Sequence, residues 1–413
     1  MISVNSLRSV VKTQRQTLKL KKHTIKREVE TEALENIKDQ RILVITGMRR
    51  VGKSTLLKQI MEKTKYFAYV NFEDEIFLQF KAEEFEKLNQ ALLEEYGKIN
   101  TYFFDEIQNI PKWEAFVRKL QDNNKKIILT GSNASLLSKE LGTKLTGRYK
   151  QIEVYPFSFN EFLTYTNQEK ETITTEEKAK ITNNLKKYIL LGGLPEYLEQ
   201  NDKDYLNLLF ENIIYRDIVS RYGIRKQKAL KELIQLLAQN NTKTITYNSL
   251  KNSIKLSNAD TVREYIEYLE NSYLFFTLNK FAYSVKKQLN MPKKIFIIDN
   301  AFTDKLLFSQ DLGRKLENLI FIELIRRKKQ LFFLQEKGEC DFIIKNNAQI
   351  SDAIQVCYEL KEENKNREIN GLKEAMEKFK LKKGTIITLD QEETIKENEK
   401  IIEIVPAWKW LLE

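Results

Sequence analysis

Arg41-Ile-Leu-Val-Ile-Thr-Gly-Met-Arg-Arg-Val-Gly-Lys-Ser-Thr55 is the stretch that decides how this chain folds. Gly47 and Gly52-Lys53-Ser54 complete the spacing G-x-x-x-x-G-K-[ST], a loop that wraps phosphate. The flanks suit such a loop. Ile42 to Ile45 is a short apolar run of the kind that forms a buried parallel strand, and Leu56, Leu57, Ile60 and Met61 follow at helical spacing. Glycine lets the backbone curl around an anion, successive N–H groups turn inward, and the positive end of the new helix faces the phosphates. The candidate cradle is therefore Gly47, Arg50, Val51, Gly52, Lys53, Ser54 and Thr55. Within it, the Lys53 ammonium suits the β- and γ-phosphates and the Ser54 hydroxyl suits a Mg2+ ion.

Outward from the loop, Lys98-Ile-Asn-Thr-Tyr-Phe-Phe-Asp105-Glu106 is a second strand-like run that ends in paired carboxylates. An acid at that place, here Asp105, holds Mg2+ in nucleoside triphosphatases. Its neighbour Glu106 is a candidate general base for the attacking water. A solvated Asp-Glu pair opening a loop is the plainer reading, and the upstream phosphate loop weighs against it. Next, Lys126-Ile-Ile-Leu-Thr-Gly-Ser-Asn133 ends in polar residues at the sheet edge where ligands bind. Ser132 or Asn133 could hydrogen-bond the γ-phosphate or the water; Ser132 could equally be a simple helix cap. Arg148, in Leu145-Thr-Gly-Arg-Tyr149, is a candidate arginine finger, in its own chain or across subunits, although a lone Arg is commonly solvated or ion-paired.

Composition limits the alternatives. A chain of 413 residues suggests about three domains. No apolar run reaches the ~18 residues of a membrane span, and the amino terminus lacks a signal core, so no membrane and a cytoplasmic location are expected. Cys340 and Cys357 are the only cysteines and His23 the only histidine. A disulfide framework, a cysteine zinc site and His-based triads are thereby excluded, leaving carboxylates for any metal chemistry. The net charge of +11 permits nucleic acid as a partner, but a coding bias toward Lys, Asn and Ile would give it too. Arg8, Lys12, Arg15, Lys19, Lys21, Lys22, Lys26 and Arg27 all precede the first acid, Glu28. That run suits either a phosphate backbone or a solvated face of an amphipathic helix.

The expected organisation is a basic segment at 1–31, an α/β phosphate-loop domain at 32–165, a helical lid at 166–225, a winged helix-turn-helix at 226–285 and a further α/β unit at 286–413. Strands at Arg41–Thr46, Tyr66–Phe72, Thr101–Asp105 and Lys126–Gly131 imply a parallel sheet covered by helices. In the third helix of 226–285, Val262, Ile266 and Leu269 share one face. Asp260, Glu264, Glu267 and Glu270 oppose Arg263 on the other, and such acids repel a major groove. A protein contact or lid role is therefore favoured there, with Lys280, Lys286 and Lys287 left for phosphates. The tail is expected to hold a strand at Lys294–Asp299, a helix at Leu316–Arg327 and strands at Leu331–Leu334, Asp341–Ile344 and Ala353–Tyr358.

These pieces together resemble a large prokaryotic family of AAA-superfamily ATPases, in which a P-loop domain is fused to a conserved C-terminal domain of unknown function. The segments that carry the resemblance are Gly47–Thr55, Phe104-Asp-Glu-Ile-Gln-Asn109, Leu129-Thr-Gly-Ser-Asn-Ala-Ser-Leu136, Leu145–Tyr149, Pro156-Phe-Ser-Phe159, Leu191-Gly-Gly-Leu-Pro195 and Asp299-Asn-Ala-Phe302. The resemblance implies ATP rather than GTP. Gly193-Leu194-Pro195 looks like the Gly-x-Pro element of signalling ATPases, which implies an adenine contact for Pro195; a helix-ending turn is the plainer reading. The tail looks like a PD-(D/E)XK nuclease fold, with Glu317, Asp341 and Gln355-Val-Cys357. Here Gln355 replaces the usual acid and Cys357 stands where a lysine is needed, so a degenerate domain that holds DNA or a protein is expected.

The resulting expectation is a cytoplasmic ATPase that couples Mg2+ and ATP to lid and tail movements and acts on DNA, on a protein partner or as a homo-oligomer. A slow nucleotide switch that recruits a protein and a metal-dependent nuclease are the rival expectations.

Overall fold

The computed structural model describes residues 2–18, 24–132, 147–168, 174–306, 311–347, 349–397 and 399–413. Asn133, and Lys19, Lys21, Lys22 and His23 of the basic segment, lie outside the described residues. The fold is mixed α/β and divides into two compact units, Met1–Tyr155 and Pro156–Glu413.

In the first unit, strands β1 (Ile42–Thr46), β2 (Phe67–Asn71), β3 (Thr101–Asp105), β4 (Lys126–Gly131) and β5 (Tyr149–Glu153) form a parallel sheet in the order β2-β3-β4-β1-β5. Every residue of β1 and β3 is buried, as central strands covered on both faces require. β5 was not foreseen. It is an edge strand in which Ile152 alone is fully buried, so it carries no apolar run to announce it. The core beneath the sheet is aromatic, with Phe72, Phe77, Phe80, Phe85, Phe104 and Phe116 all buried. Leu7 and Val11 of the helix Val4–Gln16 are sealed into the same core. On its outer face Arg8 and Arg15 pair with Glu94 and Glu95. This part of the basic segment is thus an amphipathic helix packed on the unit.

The second unit opens with helices Phe159–Tyr165, Thr175–Leu191, Pro195–Gln200 and Lys203–Asn212 and a π-helical stretch, Ile213–Ser220. Helix Gln227–Gln239, strand β6 (Thr244–Ile245), helices Tyr247–Ser253 and Ala259–Asn271, then strands β7 (Phe275–Asn279) and β8 (Lys293–Ile297) follow. The three strands make an antiparallel sheet in the order β6-β8-β7. Two expectations need correction. The Lys294-Ile-Phe-Ile run closes this small sheet rather than opening the tail, so a boundary at 285–286 would cut between β7 and its partner. Glu270 is not on an exposed acidic face: its carboxylate accepts from Thr277 N at 2.9 Å and Thr277 Oγ1 at 2.6 Å.

Beyond it, helix Leu312–Arg326 precedes β9 (Gln330–Gln335), β10 (Glu339–Asn346), β11 (Gln349–Val356), helix Glu362–Lys378, β12 (Lys383–Thr388), β13 (Glu393–Glu397), β14 (Lys400–Pro406) and helix Ala407–Leu412. The six strands order β13-β14-β12-β11-β10-β9. β9, β10 and β11 form an antiparallel meander, while the crossover helix Glu362–Lys378 lets β12 run parallel to β11. Leu372, Ala375 and Met376 of that helix are fully buried against Ile343 and Ile386.

Candidate functional site

The loop after β1 has the backbone its glycines allow. Gly47 sits at φ 147°, and a Cβ there would stand 2.2 Å from the Val154 carbonyl oxygen. Arg50 (φ 66°) and Gly52 (φ 96°) are also left-handed, and the chain closes a ring before helix Lys53–Glu62 begins. The first amides of that helix have no partners within it, as at any helix start. Lys53 is 4% exposed; its Nζ donates to Gly47 O (3.1 Å) and Met48 O (3.0 Å) and lies 3.6 Å from Glu106 Oε1.

Asp105 ends β3 and is buried. Thr130 Oγ1 donates to its Oδ1, Tyr69 OH donates to its Oδ2 at 3.3 Å, and Ser54 also hydrogen-bonds it. Burial pushes the Asp105 carboxyl up, helped by the adjacent Glu106 charge, while Thr130, Ser54 and Lys53 oppose the shift. Glu106 adopts a left-handed backbone (φ 55°, ψ 40°), with its N–H donating to Thr130 Oγ1 at 2.9 Å. Its carboxylate accepts from Gln108 Nε2 and faces Lys53. Burial would raise Glu106, but the Lys53 and Arg49 charges outweigh it and hold the carboxyl below its usual range. The two adjacent carboxyls are thus shifted in opposite directions.

β4 lies between β1 and β3, so Thr130 at its carboxyl end bridges the two acids. Sequence reasoning missed this residue. It also missed Arg27, counted only as one charge in the basic run. Arg27 is 4% exposed, and its guanidinium donates to Val51 O and Tyr155 O, each at 2.6 Å. It thus clamps the phosphate loop to the segment after β5, and no local pattern announces it. Ser132 Oγ, just beyond β4, is buried without a partner among the described residues.

Arg148 is not brought to the loop of its own chain. Ile42 N donates to Arg148 O at 2.8 Å, which fixes the residue at the amino end of the sheet. The loop leaves the other end of β1, roughly 15 Å away at strand rise. The guanidinium instead pairs with Asp122 at 2.7 Å, and both side chains are well exposed.

In the second unit, Pro195 opens helix Pro195–Gln200 at a first-turn position that proline suits. Before it, Gly192 and Gly193 press on a buried carboxylate: Asp299 accepts from Gly193 N and Ala301 N, both at 2.8 Å. Burial raises Asp299 to about 6, although those two amides oppose the shift. In the tail, Glu317 and Asp341 come together with Glu339 around Lys294 Nζ, at 2.9, 2.8 and 2.6 Å. Burial disfavours the ammonium, but Asp341, Glu317 and Glu339 outweigh it and hold Lys294 well above the usual lysine range. Gln355 donates to Glu368 at 2.6 Å and accepts from Asp341 N at 3.1 Å. The buried Cys357 thiol is pushed up by burial and by Glu368. Among the described residues, no group of three or more His, Cys, Asp or Glu is arranged to hold a metal ion.

Residues 39–163 match the model of an AAA domain, and residues 182–312 match a domain of unknown function, DUF8612. A protein of Methanocaldococcus jannaschii titled "Uncharacterized protein MJ1544" is 38% identical over 95% of this chain and 92% of its own. An uncharacterised protein of Haemophilus influenzae is 31% identical over 83% of this chain and 89% of its own. Among solved structures, the Walker-type ATPase PABY2304 of Pyrococcus abyssi aligns at 17% identity over 70% of this chain and 99% of that one, with a TM-score of 0.46. The chain therefore belongs to the family of MJ1544, with an AAA domain matched at residues 39–163 and a domain of unknown function at 182–312.

Proposed function

We propose that the protein is a Mg2+-dependent ATPase that turns nucleotide binding and hydrolysis into conformational change. One observation carries this reading: Lys53, Asp105 and Glu106 meet in a single buried cluster at the carboxyl ends of β1 and β3, tied by Thr130. Lys53 and the loop amides of Gly47, Arg50, Val51, Gly52 and Thr55 bind the phosphates. Ser54 and Asp105 already face each other and would hold Mg2+, which when bound neutralises charge on the β- and γ-phosphates. Glu106, kept ionised by Lys53 and Arg49, accepts the proton of the attacking water. Phosphate draws Lys53 off the Gly47 and Met48 carbonyls, so nucleotide arrival also alters the charge beside Glu106. Asn133 and the unpartnered Ser132 hydroxyl are assigned to the water or γ-phosphate.

The decisive experiment pairs binding with turnover. Lys53→Ala loses ATP binding, whereas Glu106→Gln keeps it and hydrolyses at least ~100-fold more slowly. A Glu106→Gln protein that turns over at the wild-type rate would refute the role given to this residue.

The order helix, β6, two helices, β7 and β8 supports a winged helix, and a helix followed by β9–β11, a crossover helix and β12 supports a nuclease-like tail. Gln355 and Cys357 argue against cleavage, so these parts hold DNA or a protein partner in the cytoplasm. The place of Arg148 favours a second reading: a lone subunit lacks the finger that speeds hydrolysis and acts as a slow switch, with Arg148 completing a neighbour's site in a homo-oligomer.

A further inference from the structure

We propose that the ammonium of Lys294 is the resident cation of the tail's acidic centre, which therefore takes no divalent metal. The proposal deepens the nuclease-like reading of the tail and is independent of the ATPase reading. Three elements converge on one atom. β8 supplies Lys294, helix Leu312–Arg326 supplies Glu317, and β10 supplies Glu339 and Asp341. Lys294 Nζ lies within 2.9 Å of a carboxylate oxygen from each acid, and its side chain is 1% exposed. Its N–H groups donate to Glu317 Oε1 and Asp341 Oδ1, and Glu339 Oε1 ion-pairs with the same ammonium.

A divalent ion at this place would need several oxygens within roughly 2.0–2.6 Å of its own centre. Those oxygens already surround a nitrogen, and a second cation could enter only by displacing it. The neighbours fit the same conclusion. The second oxygen of Asp341 accepts from Val356 N at 2.9 Å. Gln355 is committed to Glu368 and to the Asp341 amide, and the Cys357 thiol donates to Glu359 O at 3.1 Å. The positive charge missing at position 357 is thus supplied from another strand, at the acids themselves. Because β8 belongs to the three-stranded sheet and β10 to the six-stranded one, the same contact fastens the two sheets together.

The test uses the full-length, nucleotide-free protein and Mn2+ followed by electron paramagnetic resonance. Wild type should show no Mn2+ uptake that Asp341→Asn removes. Lys294→Met should gain one such site; its Tm in EDTA should fall by about 10 °C and recover with Mn2+. Asp341-dependent uptake by wild type would overturn the proposal, as would a folded Lys294→Met protein that binds no Mn2+. If Lys294→Met does not fold, the comparison of wild type with Asp341→Asn decides alone. ATPase activity measured on the same samples reads the P-loop assignment separately.

Discussion

Thr130 shows how much of the chemistry depends on one hydroxyl. It donates to Asp105 and accepts from the Glu106 amide, so it sets the distance between the two acids and the strained turn of the second. Thr130→Val keeps the shape and removes both bonds. Leaving those buried groups unsatisfied should cost about 1–3 kcal/mol in denaturant unfolding and lower kcat more than it changes KM. Gly47 is equally specific. With φ 147° and a carbonyl 2.2 Å from any Cβ, Gly47→Ala should abolish nucleotide binding in a titration while the fold persists in circular dichroism. Lys53, Ser54, Asp105 and Glu106 were legible in the sequence because they lie in short local motifs. Thr130 and Arg27 were not, because what defines them is a contact with residues far away in the chain. Arg27 reaches Val51 and Tyr155, and no spacing rule encodes such a reach.

Among the elements, the turn Leu191–Pro195 and Asp299, just past the end of β8, form one clasp. Gly192 leaves no room for a side chain, since a Cβ would stand 1.7 Å from Asp299 Oδ1. The Asp299 carboxyl is raised from 3.8 to about 6 by burial. An acid raised in the folded state favours folding at low pH and loses that contribution as pH climbs from its unfolded to its folded value. Wild type should therefore lose about 2 kcal/mol relative to Asp299→Asn between pH 4.5 and 7.5, read from urea unfolding at each pH. The elements themselves were unevenly legible. β1 to β4 announced themselves through buried runs, whereas the edge position of β5 left its sequence plain. β8 was seen as a strand but assigned to the tail, because an apolar run does not say which sheet it joins.

At the scale of the whole molecule, the proposed ATPase activity can be tested for dependence on a second subunit. If Arg148 completes a neighbouring site, specific ATPase activity should rise with protein concentration. Arg148→Ala should then lower the plateau by about 1,000-fold without weakening nucleotide binding to the single chain. Flat activity across dilution would remove that role. Net charge of +11 makes DNA a reasonable first partner to test, and stimulation that fades with added salt would mark backbone contact. Composition suggested such a partner without locating it, and the packed helix Val4–Gln16 accounts for part of the basic run in purely structural terms.

The guanidinium strut from residue 27 has a practical corollary for how this family is cut into pieces. The matched AAA segment starts at residue 39, downstream of the strut. A fragment trimmed to that border would retain every signature letter and pass any motif scan, yet its anion nest would have lost a buttress that holds its rim in shape.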